Sequence, residues 1–211
     1  TEHHKVITDM GLAAINLIGV IIAIFVGISL VNKEIERRTI YTIMARPISR
    51  SVFIMGKYFG LTLTLLVNMS VMLAVFLLTL WLYHVPIERS LFQAVQLMFV
   101  EILVVTAIAL FFSTFTSTTL SAIFTLGLYV IGHLTADLRS VVANSESGGV
   151  KTVVDLLYYL CPNLEMLNIK GQAAVGILVA PEYLLLSSLY GVMYAGVLLT
   201  SACLVFQKRD F

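Results

Sequence analysis

One acidic residue interrupts an otherwise uncharged apolar stretch. Glu101 stands near the middle of residues 91–112, which contain no other Asp, Glu, Lys or Arg. A carboxylate inside a membrane costs at least a few kcal/mol unless it is protonated, paired or hydrated. We therefore expect Glu101 to face the helix bundle or a cavity. It either lines a substrate path or makes a structural hydrogen bond, for which Asn68 and Ser70 are the expected partners, and the structural role is slightly favoured.

Histidine, serine and cysteine are the other residue types that could do chemistry. His133, near the end of an apolar run, is predicted to be a hydrogen-bonded interfacial residue rather than a proton relay. The adjacent His3 and His4 are predicted to be solvated rather than metal ligands. An intramembrane hydrolase using Ser29 and His133 is a remote alternative, because nucleophilic catalysis needs the two within hydrogen-bond reach. No residue is therefore assigned a catalytic or metal-binding role.

The composition is that of a membrane protein. Hydrophobic residues make up 59% of the 211 residues, and the mean hydropathy is +0.98. Several apolar runs exceed the roughly 18 residues that mark a membrane-spanning helix. A net charge of only +1 argues against nucleic acid as a partner. Cys161 and Cys203 are predicted to lie on opposite sides of the membrane, where they cannot form a disulfide.

Five segments are predicted to cross the membrane, at residues 10–31, 58–83, 91–112, 120–134 and 184–206. Two of them repeat small residues at every fourth position, which lets helix backbones approach closely. These positions are Gly19, Ala23, Gly27, Ser187, Gly191 and Ala195. Packing within one subunit is the favoured interpretation, and a subunit interface is the alternative.

The segment 33–57 concentrates the positive charge of the chain. It has six basic residues and two acidic ones. Lys and Arg are enriched in cytoplasmic loops, so we place this segment in the cytoplasm. Glu34 can pair with Arg38, Ile40 and Ile43 share an apolar face, and Pro47 ends the helical pattern. Both a docking helix and a loop that only sets topology fit this pattern.

The segment 135–183 is mixed in character and is predicted to lie outside. It has five acidic and three basic residues. Its apolar stretches 153–160 and 173–179 are too short to span and are predicted to be re-entrant or interfacial helices. From its composition alone, this segment is interpreted as a small cap on the outer side of the membrane.

Three stretches resemble one family. The run EIERRTIYTIMARPISR at 34–50, continued by GKYFG at 56–60, looks like the signature of the ABC type-two exporter permeases. The stretch LCPNLEMLN at 160–168 is similar to that family's outer segment, and FQKRDF at 206–211 is similar to its C-terminal end. Together these similarities cover nearly the whole chain.

The resemblance implies roles for particular residues. The first stretch is the coupling helix that docks into an ATPase, and the short outer helices gate the pathway. The implied coupling residues are Glu34, Glu36, Arg37, Arg38, Thr39, Arg46 and Pro47. The outer-gate candidates are Pro162, Asn163 and Glu165. Glu101 and Asn68, from the argument on the buried carboxylate and not from the resemblance, are the intramembrane polar or pathway candidates.

The resemblance also implies partners. No Walker-type phosphate loop occurs in the chain, so ATP and Mg are expected on a separate cytoplasmic ABC ATPase subunit, with no cofactor in this chain. A second permease subunit, forming a homodimer, and membrane lipid are the other expected partners. An alternative is a non-transporting subunit that transmits mechanical work to a periplasmic partner.

These inferences combine into one expected architecture. The chain is predicted to be an all-α integral membrane protein, a single transmembrane domain over 1–211 with five spans, a cytoplasmic coupling helix and short outer re-entrant helices. The family has six spans, so we expect the first to be missing here. The location expected is a plasma membrane, as in a bacterial inner membrane. The scarcity of charges weakly favours a lipidic, amphipathic or small apolar substrate over a polyanion.

Overall fold

The computed structural model describes residues 2–36, 50–142, 155 and 161–207, with side chains for 4–29, 51–134, 155 and 161–207. The described part of the chain is all-α. Its helices are α1 (Glu2–Glu36), α2 (Arg50–Leu82), α3 (Arg89–Ser113), α4 (Thr118–Val142), a 3-10 helix (Leu164–Leu167), α5 (Lys170–Ala174) and α6 (Pro181–Gln207).

Four of these helices, α1, α2, α3 and α6, contain stretches long and apolar enough to cross a membrane. The apolar part of α4, Thr118–Leu134, is shorter. The predicted all-α membrane fold is therefore confirmed. The long helices extend beyond their predicted ends, because the apolar pattern marks only the part that avoids water, while backbone hydrogen bonding continues into the polar flanks.

Helix α3 lies at the centre of the bundle, between α1 and α6. A Cβ atom added at Gly19 of α1 would come 2.5 Å from the Ile102 side chain, and one at Gly191 of α6 would come 2.4 Å from Val100. Real Cβ atoms do not approach so closely, so a side chain at either position would force the neighbouring side chain to move. The small-residue stripes thus pack against α3 within one subunit.

The helices run antiparallel, which gives the bundle two distinct ends. At one end the rings of Phe53 and Phe206 stack at 5.9 Å, and the Gln207 amide donates to the Ser51 hydroxyl at 2.8 Å. We call this the basic end, because the segment 33–57 joins α1 to α2 there. At the opposite end, the Ser90 hydroxyl donates to the Ala173 carbonyl at 3.3 Å.

Residues 161–180 cover the opposite end, and we call them the outer segment after the location expected from the sequence. A helix was expected over 173–179, but α5 spans Lys170–Ala174 instead. Gly176 has a φ of 73°, a left-handed conformation that glycine adopts without strain. The Ile177 N–H donates to the Gln172 carbonyl and the Gly176 N–H to the Ala173 carbonyl, which is a Schellman helix end. The stretch predicted at 153–160 lies outside the described residues, apart from Asp155.

Candidate functional site

A buried polar cluster surrounds Glu101 at the centre of α3. The Glu101 side chain is completely buried. From α1, the Asn16 amide donates to both carboxylate oxygens at 3.3 Å. From α4, the His133 Nε2 atom lies 3.3 Å from the Glu101 Oε1 atom. The carboxylate therefore faces the bundle and connects three helices.

One turn of α4 presents two polar side chains to this carboxylate. The His133 Nδ1 atom lies 3.1 Å from the Tyr129 carbonyl oxygen, and the two rings pack at 4.7 Å. The Tyr129 side chain is also close enough to the Glu101 carboxylate to interact with it electrostatically. The sequence analysis missed Tyr129. Its position four residues before His133, on the same helix face, was the available signal.

The partners expected for Glu101 from α2 were wrong. The Asn68 amide donates to the Thr64 carbonyl at 2.9 Å, and the Ser70 hydroxyl donates to the Leu66 carbonyl at 2.8 Å. Both side chains are therefore hydrogen-bonded to backbone carbonyls of their own helix. Asn68 is thus not brought to Glu101. Asn16, instead of Asn68, makes the hydrogen bond to the carboxylate.

The outer segment packs directly above the cluster. A Cβ atom at Gly132 of α4 would lie 2.7 Å from the Pro162 carbonyl oxygen. The Asn163 N–H donates to the Tyr190 hydroxyl of α6 at 2.9 Å. The structure therefore brings two of the outer-gate candidates, Pro162 and Asn163, against α4 and α6.

Further contacts fix the two halves of the outer segment. Glu165 accepts hydrogen bonds from the Asn168 amide at 3.1 and 3.2 Å. The Gln93 side chain of α3 makes a two-point contact with the Val179 backbone, donating to its carbonyl at 3.2 Å and accepting from its N–H at 3.0 Å. The Tyr183 hydroxyl donates to the Met166 carbonyl at 2.8 Å. The segment is thus held to α3 and α6 through its backbone.

The geometry does not support nucleophilic catalysis by the residues considered. His133 lies level with Asn16, and Ser29 is 13 residues further along α1, a distance of about 20 Å at the rise of an α-helix. Cys161, in the outer segment, is buried, and burial raises the pKa of its thiol. A thiol with a raised pKa is a poor nucleophile near neutral pH.

The candidate coupling residues fall largely outside the described residues. This applies to Arg37, Arg38, Thr39, Arg46 and Pro47. The backbone of the last turns of α1 includes Glu34 and Glu36, so both acidic residues lie immediately before the connection.

The fold is that of a multi-pass α-helical membrane protein. Its buried polar cluster around Glu101 holds three helices together. The comparison with protein families agrees. The model of the ABC-2 family transporter proteins matches residues 2–211, so the chain belongs to this family. A search of curated proteins found no match. The protein is therefore a membrane permease subunit of an ABC transporter. Membership implies an ABC ATPase partner and dimeric assembly.

Proposed function

We propose that this chain is the permease subunit of an ATP-driven exporter in a plasma membrane, in particular a bacterial inner membrane. A separate cytoplasmic subunit binds ATP and Mg and hydrolyses the nucleotide, and two copies of the permease form the membrane part. The observation that carries the proposal is the position of the charged segment 33–57. It connects the C-terminal end of α1 to the N-terminal end of α2, both at the basic end of the bundle.

Packing at the basic end supports a coupling role for this segment. Gly27 of α1 lies against Ala109 of α3, and Ser51 in the first turn of α2 is hydrogen-bonded to Gln207 at the end of α6. Close-packed helices transmit displacement because their interiors contain little free space. A push on the connection between α1 and α2 therefore reaches α3 and α6.

The outer segment is the proposed gate at the opposite end. Pro162 and Asn163 contact α4 and α6, whereas Gln93 holds the other half of the segment to α3. A relative movement of α3 and α6 would therefore displace the segment as a unit. The membrane helices carry few charges apart from Glu101, which favours a lipidic, amphipathic or small apolar substrate over a polyanion.

A double charge reversal tests the coupling role. We expect Glu36→Lys combined with Arg38→Glu to weaken ATPase binding at least about tenfold, because charges buried at an interface contribute about 2 kcal/mol or more. The measurement is co-purification of the ATPase and its stimulation by permease in proteoliposomes. The matched control, Arg89→Glu with Glu182→Lys, makes the same charge changes at the opposite end, where both side chains are exposed. Normal ATPase stimulation by the first variant contradicts the proposal.

A further inference from the structure

We propose that Glu101 and His133 form a proton-binding site within the helix bundle. The site holds one proton at neutral pH and thereby joins α3 to α4, with Asn16 of α1 as a third member. This proposal does not depend on export or on ATPase docking. It concerns a ligand, the proton, that the permease function does not assign.

The two ring nitrogens of His133 establish the proton count. Nδ1 faces the Tyr129 carbonyl oxygen at 3.1 Å, and Nε2 faces the Glu101 Oε1 atom at 3.3 Å. A neutral imidazole carries a hydrogen on only one nitrogen. If Glu101 is ionised and His133 neutral, one nitrogen lone pair must point at an oxygen lone pair. One additional proton removes this repulsion.

That proton can reside on either partner. Either His133 is an imidazolium beside an ionised Glu101, or His133 is neutral and the Glu101 carboxyl donates to Nε2. Both arrangements have no net charge, which is what an apolar interior favours. A second proton would leave a net positive charge in a site where Glu101 is completely buried.

The neighbouring groups do not supply the missing proton. Asn16 donates to the carboxylate through a side-chain amide that carries no charge. Within the described residues, the charged groups that act on the cluster from the outer segment are Glu165 and Lys170. Their charges are opposite in sign. The pair must therefore neutralise itself.

The Nε2 atom of His133 is the point at which this proton is exchanged. It is buried, and its 3.3 Å contact with Glu101 is not aligned as a regular hydrogen bond. Among the described residues it has no other hydrogen-bond partner. A small rotation of the ring toward the carboxylate forms the bond, with the proton held between His133 Nε2 and Glu101 Oε1.

Stability as a function of pH tests the proposal on the purified permease alone. In the unfolded chain, Glu and His have pKa values of about 4.3 and 6.5. Above about pH 6.5 the unfolded pair holds no proton, whereas the folded pair holds one. The unfolding equilibrium, measured in mixed detergent micelles with increasing dodecyl sulfate, should therefore shift about tenfold toward unfolding per pH unit until the folded pair releases its proton.

Glu101→Gln provides the decisive comparison, because it keeps the shape and removes the need for the proton. Its folded His133 is neutral, so its stability should be flat above about pH 6.5 and should fall as the pH drops below that value. The control His84→Asn changes an exposed histidine whose φ of 52° asparagine tolerates. This control should keep the wild-type profile.

Infrared spectroscopy gives a readout that does not require Glu101→Gln to fold. As the pH is raised above neutral, wild-type permease in lipid should lose a carboxylic-acid or imidazolium signal that comes from this pair. His133→Gln should alter that signal. A wild-type protein with no such signal and no pH dependence over this range overturns the proposal. The same slope in wild type and Glu101→Gln also overturns it. Neither outcome bears on ATPase coupling.

Discussion

At the residue scale, Gly132 shows how closely the outer segment depends on α4. It precedes His133 in the chain, and the space its side chain would occupy is filled by the Pro162 carbonyl and the Leu164 side chain. The carbonyl belongs to the backbone and cannot rotate away. Any side chain at Gly132 must therefore move the outer segment.

Gly132→Ala is expected to destabilise the protein by about 1–3 kcal/mol, the usual cost of overpacking. Gly127 on the same helix is the matched control, since a Cβ atom there meets no atom within 4 Å. Gly127→Ala should be neutral or slightly stabilising because alanine favours helix. Thermal unfolding measures the difference, and proteolysis of residues 161–180 should become faster only in Gly132→Ala. Equal behaviour of the two variants would contradict the packing described for the outer segment.

The burial of Glu101 was predictable from the sequence, but its partners were not. A lone carboxylate in an apolar run must avoid lipid, whatever the arrangement of the other helices. Asn16, however, is 85 residues away in the chain. Its proximity depends on which helices are neighbours and on how each is rotated. Asn68 was an equally reasonable candidate by composition, and only the rotation of α2 excludes it.

At the scale of the helix, α6 packs against α3 through one face. Ser187, Gly191 and Ala195 on that face are buried, whereas Leu186, Met193 and Val197 on other faces are exposed. The small residues at every fourth position of the sequence predicted this face correctly. Because α3 already contacts α1 on another side, it cannot move away from α6 freely.

Gly191→Ala is expected to cost about 1–3 kcal/mol, because its Cβ atom would lie 2.4 Å from Val100 Cγ1. Valine is branched at Cβ and has few alternative rotamers in a helix. Gly196→Ala on the same helix is the control, since its Cβ atom meets nothing within 4 Å. Unfolding in mixed micelles should separate the two variants, and Val100→Ala should restore part of the stability in the Gly191→Ala background. No rescue would indicate that the loss has another origin.

Helix ends were less predictable than helix cores. Hydropathy located the apolar stretches of α1, α2, α3 and α6, because each avoids water over its full length. The end of α5 depends instead on one backbone conformation at Gly176, and the side chain of Glu88 packs over that glycine. Hydropathy averaged over many residues contains no information on the backbone conformation of a single residue in a turn.

At the scale of the whole molecule, the two ends of the bundle differ in sequence composition. The basic end receives the segment 33–57 and the C-terminal Lys208 and Arg209. The opposite end carries the outer segment, which includes Glu165, and the first turn of α6, which includes Glu182. The antiparallel order follows from the contacts at each end, but the orientation in the membrane rests on the charge difference alone.

Site-directed labelling tests that orientation. Two variants are made in a background without Cys161 and Cys203. One carries a single cysteine at Glu182 and the other at Gln207, so each has one thiol at one end of the bundle, and both positions are exposed. We expect a membrane-impermeant maleimide to label Glu182→Cys in intact cells and Gln207→Cys only after the membrane is opened, because the positive-inside rule puts the basic end in the cytoplasm. Labelling of Gln207→Cys in intact cells would show that the protein has the opposite orientation in the membrane. The segment 33–57 would then lie outside, beyond the reach of any cytoplasmic ATPase, and the proposed coupling role would be excluded.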